Sequence, residues 1–172
     1  MKAVFLDYAT MGGGLDVDPL HSVVDELIVH DVTADDEVAQ RIRDADAVLT
    51  NKIRLTPDLI ATAPALKFIG LTATGTDNID LEAARKHGIA VANVAGGSNR
   101  ALAEYAVACA LTLLRRIAWA DREIRSGNYK AVRARMIADS LQGIDGLTVG
   151  VVGLGNIGRA VAEAFERMGC EL

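Results

Sequence analysis

The sequence predicts an α/β fold built on a parallel sheet, and three observations predict it. Short apolar runs alternate with helix-like segments from the first residues onward, and those segments carry readable caps. A Gly-x-Gly-x-x-Gly turn also sits between an apolar run and a helix-like stretch in the last third of the chain.

The candidate strands are Lys2–Asp7, Glu26–His30, Ala47–Asn51, Lys67–Thr72 and Ile89–Asn93. Thr33 is placed to cap a helix running to Arg43, with Asp35, Asp36 and Glu37 in its first turn, where negative charge complements the helix dipole. Thr56-Pro57-Asp58 reads as a cap followed by proline at the first helical position, opening a short helix to Ala63. Asp80 caps Leu81–His87, and Gly88 ends it. His21 falls on a further surface helix. Strands and helices in this order predict a small doubly wound domain of flavodoxin-like type over residues 1–97.

Gly96-Gly97-Ser98-Asn99 reads as a boundary. From Arg100 to Ser126 the chain holds no proline or glycine, which predicts one long helix, apolar on several faces at first and charged in its last third. Ser126-Gly127-Asn128 breaks it, and Tyr129 to Asp145 reads as an arm or an irregular excursion. Leu147–Val152 is a strand candidate, followed by Gly153-Leu154-Gly155-Asn156-Ile157-Gly158 and the helix-like Arg159–Phe165. Residues 98–172 are therefore expected to begin a Rossmann domain with its first βα unit.

The glycine turn carries a physical reading. Its first glycine permits a tight strand-to-helix turn, its second lets backbone approach a pyrophosphate, and its third lets the helix pack on the strand. The helix N-terminus supplies free N–H groups to the anion. An acidic residue that grips the ribose stands about 20 positions beyond such a motif, which here falls past Leu172. The nucleotide fold is expected to be started and not finished, so binding of NAD or NADP by these residues alone is expected to be weak or absent.

Composition narrows the function classes. The chain is 51% apolar and 24% charged with a formal charge of −5, and its basic residues are scattered, which argues against nucleic acid. No apolar run approaches the roughly 18 residues of a membrane span, and Met1–Leu6 reads as a strand rather than a leader. Cys109 and Cys170 have no paired spacing and read as reduced core residues of a cytoplasmic protein. His21, His30 and His87 each read as structural or solvated, no Cys/His cluster has metal-ligand spacing, and no nucleophile elbow appears. The sequence shows binding features without a catalytic set or a metal site.

Parallel α/β sheets bind ligands at the carboxyl ends of their strands. That rule selects Thr50-Asn51-Lys52, Thr72–Asn78 and Val94–Ser98. The middle loop is small, polar and contains glycine, so its N–H groups can hold a carboxylate, and Lys52 can add positive charge. The alternative is that these are ordinary turns in which Asp77 and Asn78 satisfy local backbone. Leu102 either aims at a ligand from the start of the long helix or joins the core; beside it Glu104 favours the first turn and Tyr105 packs.

The blocks Leu66–Asp80, Gly88–Asn93, Ala103-Glu104-Tyr105 leading to Leu114-Arg115-Arg116, and Gly153–Gly158 occur in the order found in the D-isomer-specific 2-hydroxyacid dehydrogenases, which the chain resembles. Phe5-Leu6-Asp7 with Ala9-Thr10, Thr50-Asn51-Lys52 and Ala73–Asn78 most resemble the glycerate dehydrogenase or hydroxypyruvate reductase branch. The resemblance implies an oxidoreductase that transfers a hydride between NAD(P)H and a small 2-oxo or 2-hydroxy acid such as hydroxypyruvate or D-glycerate. It implies that the Thr74 and Gly75 backbone holds the substrate carboxylate, with Asn51 and Lys52 lining the same pocket. Leu102 would face the nicotinamide, and Gly153, Gly155, Asn156, Ile157 and Gly158 would form the pyrophosphate turn. The family's arginine, glutamate and histidine are expected downstream of Leu172, so the chain alone is expected to be inactive, and the full-length form to be a homodimer. The family commonly has tryptophan after the glycine that follows the long helix, whereas this chain has Gly127-Asn128-Tyr129, and Lys130–Gln142 matches poorly. The competing reading is a non-catalytic module that binds a small carboxylate or dimerises through its long helix.

Overall fold

The computed structural model describes residues 1–12, 14–138 and 143–172. The backbone divides into two compact units, Met1–Ala95 and Gly96–Leu172.

The first unit contains β1 (Lys2–Phe5), β2 (Glu26–Val29), α1 (Val38–Ile42), β3 (Ala47–Thr50), α2 (Pro57–Ala61), β4 (Phe68–Leu71), α3 (Leu81–Lys86) and β5 (Ala90–Ala92). Its strands form one parallel sheet in the order β2-β1-β3-β4-β5, the flavodoxin-like arrangement. One row of paired residues crosses the whole sheet: Ile28, Val4, Val48, Ile69 and Val91. All are β-branched, which suits a pleated surface covered by helices. Val4, Val48 and Ile69 pack with Leu6, Val38, Ile42, Leu55, Ile60, Leu71, Ile79 and Ile89 into a buried cluster whose members all lie between Val4 and Ile89. Phe5 is also fully buried and meets Tyr8 edge-on at 5.7 Å.

Two expected caps form. Thr56 Oγ1 accepts from the Leu59 amide at 3.3 Å, and Asp80 Oδ1 accepts from the Ala83 amide at 2.8 Å. Gly88 follows α3 with φ +71°, a conformation that costs glycine little. The cap expected at Thr33 does not form, because α1 starts later, at Val38. The buried Thr33 hydroxyl instead donates to the Leu6 carbonyl and accepts from Arg41 Nη1 at 2.6 Å. His21 lies on a single 3-10 turn, Asp18–Ser22.

The second unit contains α4 (Asn99–Leu114), α5 (Ile117–Arg125), α6 (Tyr129–Ala138) and α7 (Asn156–Glu166). The single long helix expected over 100–126 is two helices. The Arg115 and Arg116 amides close α4 onto the Leu111 and Leu113 carbonyls, and Arg116 then adopts φ 52°, redirecting the chain into α5. The segment expected to be irregular from Tyr129 contains α6, with Val132 buried and the Arg135 guanidinium 5.8 Å from the Trp119 ring centre. Part of that segment, 139–142, lies outside the described residues.

Leu147–Val152 does not form the expected strand. Thr148 makes an isolated parallel bridge with Glu171, through the Val149 amide to the Glu171 carbonyl at 2.7 Å and the Glu171 amide to Leu147 at 2.9 Å. A strand needs a ladder of such bonds, and among the described residues only this short stretch opposes it. The first βα unit is thus an extended segment, a turn and a helix. Cys170 is buried, whereas Cys109, expected in the core, is exposed on α4. Among the described residues no helix is long and apolar enough to cross a membrane.

Candidate functional site

The sheet order places β2 and β3 on opposite sides of β1, so the connections leaving β1 and β3 diverge at the carboxyl edge. Such a reversal opens a crevice there. Asn51 and Lys52 follow β3 at that edge. The Asp7 carboxylate, 3% exposed just beyond β1, accepts from the Asn51 amide at 2.9 and 3.1 Å and from the Lys52 amide at 2.6 Å. Asn51 Nδ2 donates to Thr10 Oγ1 at 3.0 Å, and that hydroxyl donates to the Asp7 carbonyl at 2.6 Å. Thr50, also fully buried, accepts at Oγ1 from the Ile53 amide at 3.1 Å.

The Thr72–Asn78 loop follows β4 at the same edge. The Thr72 amide donates to the Thr50 carbonyl at 3.0 Å, tying the two loops at their roots. Asn93 Nδ2 donates to the Thr74 carbonyl at 2.7 Å, Thr74 Oγ1 to the Val94 carbonyl at 3.2 Å, and the Val94 amide to Ala73 at 3.0 Å. Asn78 Nδ2 donates to the Ile53 carbonyl at 3.0 Å and the Asn51 carbonyl at 3.4 Å. Asn78 thus joins one loop to the other rather than satisfying its own turn. Thr74 and Gly75 are exposed, and a β-carbon at Gly75 would come within 2.7 Å of Asp77 Oδ1. The structure brings Asn51, Lys52, Thr74 and Gly75 to one edge of one sheet.

In the second unit, Gly153 adopts φ +94°, and Gly155 stands as the N-cap of α7 without a side-chain bond to the first turn. A β-carbon at Gly155 would meet nothing within 4 Å, while one at Gly158 would lie 1.9 Å from the Gly153 carbonyl oxygen and 3.6 Å from Val151 Cγ1. Arg159 braces the turn, Nε donating to the Leu154 carbonyl at 3.0 Å. Leu154, Asn156 and Ile157 are exposed, the last two in the first turn of α7. Close packing at the third glycine and open space at the second suit an approaching anion. Leu102 on α4 is 42% exposed. Glu104 pairs with Arg100 at 3.1 Å, and Tyr105, expected to pack, is exposed.

His87 Nδ1 lies 3.0 Å from the Ala83 carbonyl at the end of α3. Burial, and then the Arg41 guanidinium, push the His30 imidazole below its ordinary range. Among the described residues no group of three or more His, Cys, Asp or Glu side chains is placed to hold a metal ion. Sequence reasoning missed Asp7, Asn78 and Asn93 as organisers of the loops. Asp7 carries a visible signal, an acidic residue set directly after an apolar strand.

Residues 14–171 match the family described as D-isomer specific 2-hydroxyacid dehydrogenase, catalytic domain. The chain is 30% identical over 177 residues to hydroxypyruvate reductase of Blautia hydrogenotrophica, covering 100% of this chain and 55% of that protein. It is 38% identical over 136 residues to glyoxylate reductase of Thermococcus litoralis, covering 77% of this chain and 41% of that one. NAD-dependent formate dehydrogenase of Staphylococcus aureus in complex with NAD superimposes with a TM-score of 0.73 at 26% identity, over 99% of this chain and 54% of the other. The chain spans about half the length of the curated relatives it matches. With the family match running through both units and the ordered blocks falling at the sheet edge and the glycine turn, the chain belongs to the D-isomer-specific 2-hydroxyacid dehydrogenase family.

Proposed function

We propose that the chain contributes the acid-binding edge and the pyrophosphate turn of an NAD(P)-dependent oxidoreductase acting on a small 2-oxo or 2-hydroxy acid, with hydroxypyruvate and D-glycerate as the substrate pair. The observation that carries this reading is the glycine turn, where Gly158 leaves no room for a side chain and Gly155 leaves ample room for a ligand. Its residues fit a dinucleotide: the Gly153–Gly158 backbone would hold the pyrophosphate, with Asn156 and Ile157 at the start of α7. When bound, the nicotinamide gives or takes the hydride.

This chain's own residues bind and orient the acid. The Thr74 and Gly75 backbone holds the substrate carboxylate, Lys52 adds positive charge, and Asn51 shapes the same pocket. Leu102 provides an apolar surface for the nicotinamide. The names of the relatives, hydroxypyruvate reductase and glyoxylate reductase, support a substrate of two or three carbons. Proton exchange at the hydroxyl is left to the family's histidine, which the resemblance places downstream of Leu172. The chain alone binds NAD(P) weakly and does not turn over substrate. The exposed Tyr105 and Leu113 on α4 support a homodimer and favour self-association of the isolated chain.

The test is expression of the coding region through its natural stop, alongside the 172-residue chain, with NADH and NADPH oxidation followed against hydroxypyruvate and glyoxylate. Turnover by the longer product alone is expected. A longer product that reduces neither acid overturns the reading, and a coding region that ends at Leu172 leaves a carboxylate-binding or dimerising module in its place.

A further inference from the structure

Asp7 is the one carboxylate among the buried polar residues described, the others being Thr33 and Thr50. A buried charge is costly unless it is fully hydrogen-bonded, and Asp7 meets that condition with two consecutive backbone amides, Asn51 and Lys52. Successive amides of a strand point to opposite sides, so two neighbouring amides on one carboxylate mean that the chain has left strand geometry and curls around an anion, a backbone nest. The ladder between β1 and β3 ends at Phe5 and Leu49. Just beyond it the Asp7 side chain takes over the bonding and turns the chain at the crevice. Its carbonyl meanwhile accepts from the Thr10 hydroxyl that receives Asn51 Nδ2, so both backbone and side chain of Asn51 are set from Asp7.

Resting on the carboxylate site proposed above, we infer that Asp7 is a positioning residue for that site: its carboxylate is an internal anion that fixes the Asn51–Lys52 loop in the shape that receives the carboxylate of the substrate. Core stability alone does not call for a charge here, because the neighbouring Leu6 and Phe5 are fully buried apolar residues. A charge-assisted pair of bonds sets direction as well as proximity.

The test uses the full 172-residue chain, labelled with nitrogen-15, and oxalate as a non-reducible probe. Amide shifts are followed for Asn51, Lys52, Thr74 and Gly75 in the wild type, Asp7→Asn and Asp7→Ala. In the wild type, all four amides are expected to move on one binding curve. Asp7→Asn keeps a single acceptor oxygen, so its midpoint should rise by about tenfold, and that of Asp7→Ala further, while the Thr74 and Gly75 shifts reach the same end point at saturation. Wild-type midpoints in both folded variants overturn the role of Asp7 and leave the carboxylate site standing. A wild type in which none of the four amides responds removes the site and this role together. Loss of a dispersed spectrum in Asp7→Asn overturns the proposal as well, since the carboxylate would then serve folding itself.

Discussion

A β-carbon on Gly158 would stand 1.9 Å from the carbonyl oxygen of Gly153, closer than any side chain can be tolerated against backbone. Gly158→Ala therefore forces α7 away from the turn, and a loss of about 1–3 kcal/mol is expected by urea denaturation. Gly155 has open space around it and φ −74°. Gly155→Ala should cost no more than about 1 kcal/mol, the usual difference between glycine and alanine at an N-cap, yet weaken NAD(P) in the full-length enzyme by blocking backbone approach. Equal destabilisation by both substitutions would refute this division of roles.

Gly75→Val should act on the acid rather than the nucleotide. Its side chain displaces the Asp77 carboxylate, which lies 2.7 Å from the nearest β-carbon position, and crowds the proposed carboxylate cradle. In the full-length enzyme the KM for hydroxypyruvate should rise while that for the cofactor stays close to wild type. Parallel increases in both would point to misfolding.

Asn78→Ala removes the bonds to the Ile53 and Asn51 carbonyls, and Asn93→Ala the one to Thr74. Each should cost about 1 kcal/mol. Hydrogen exchange should quicken at 51–53 in the first variant and at 73–75 in the second. Uniform acceleration across the sheet would contradict a local role.

His30 and Asp46 are two of the groups that make stability depend on pH. The folded His30 titrates below its ordinary 6.5, chiefly through burial, so the unfolded chain takes up the proton first. Its contribution is complete above pH 6.5 and is lost as pH falls from there through the folded value. Asp46 is held below its ordinary 3.8, first by the Lys67 ammonium and then by the Lys2 amide. Its contribution is present above 3.8 and disappears as pH drops through the folded value. Denaturation midpoints measured downward from neutral pH should lose the first decline in His30→Gln, and the second should shrink in Asp46→Asn, the rest of it belonging to Glu37, which the Ala34 amide holds below its ordinary 4.5.

Tyr105 and Leu113 are 71% and 79% exposed, two turns apart on α4. Their spacing places them on one face. The chain should scatter light as an associated species at micromolar concentration, and Tyr105→Glu with Leu113→Glu should return it to a monomer. A monodisperse wild-type monomer would rule this surface out as an association site.

The first unit was largely legible in the sequence because its signals are local. Apolar runs marked β1 to β5, Thr56-Pro57 and Asp80 marked the starts of α2 and α3, and the glycine spacing marked the turn before α7. What failed depends on partners far away in the chain. Thr33 has the chemistry of a cap, but its hydroxyl is claimed by Leu6, 27 residues earlier. Asp7 reaches amides 44 and 45 positions on, which no spacing rule reveals. Leu147–Val152 has the composition of a strand and little to pair with among the described residues. The break at Arg116 had no glycine to announce it, since a non-glycine residue takes the left-handed conformation there.

Among the described residues, the interior cluster of the sheet takes its buried members from Val4 to Ile89, with Val91 packed against it. All of these residues lie within the first unit, which ends at Ala95. This makes the first unit a candidate for transplantation: recombination at the Ala95–Gly96 joint keeps every buried side chain of that cluster together.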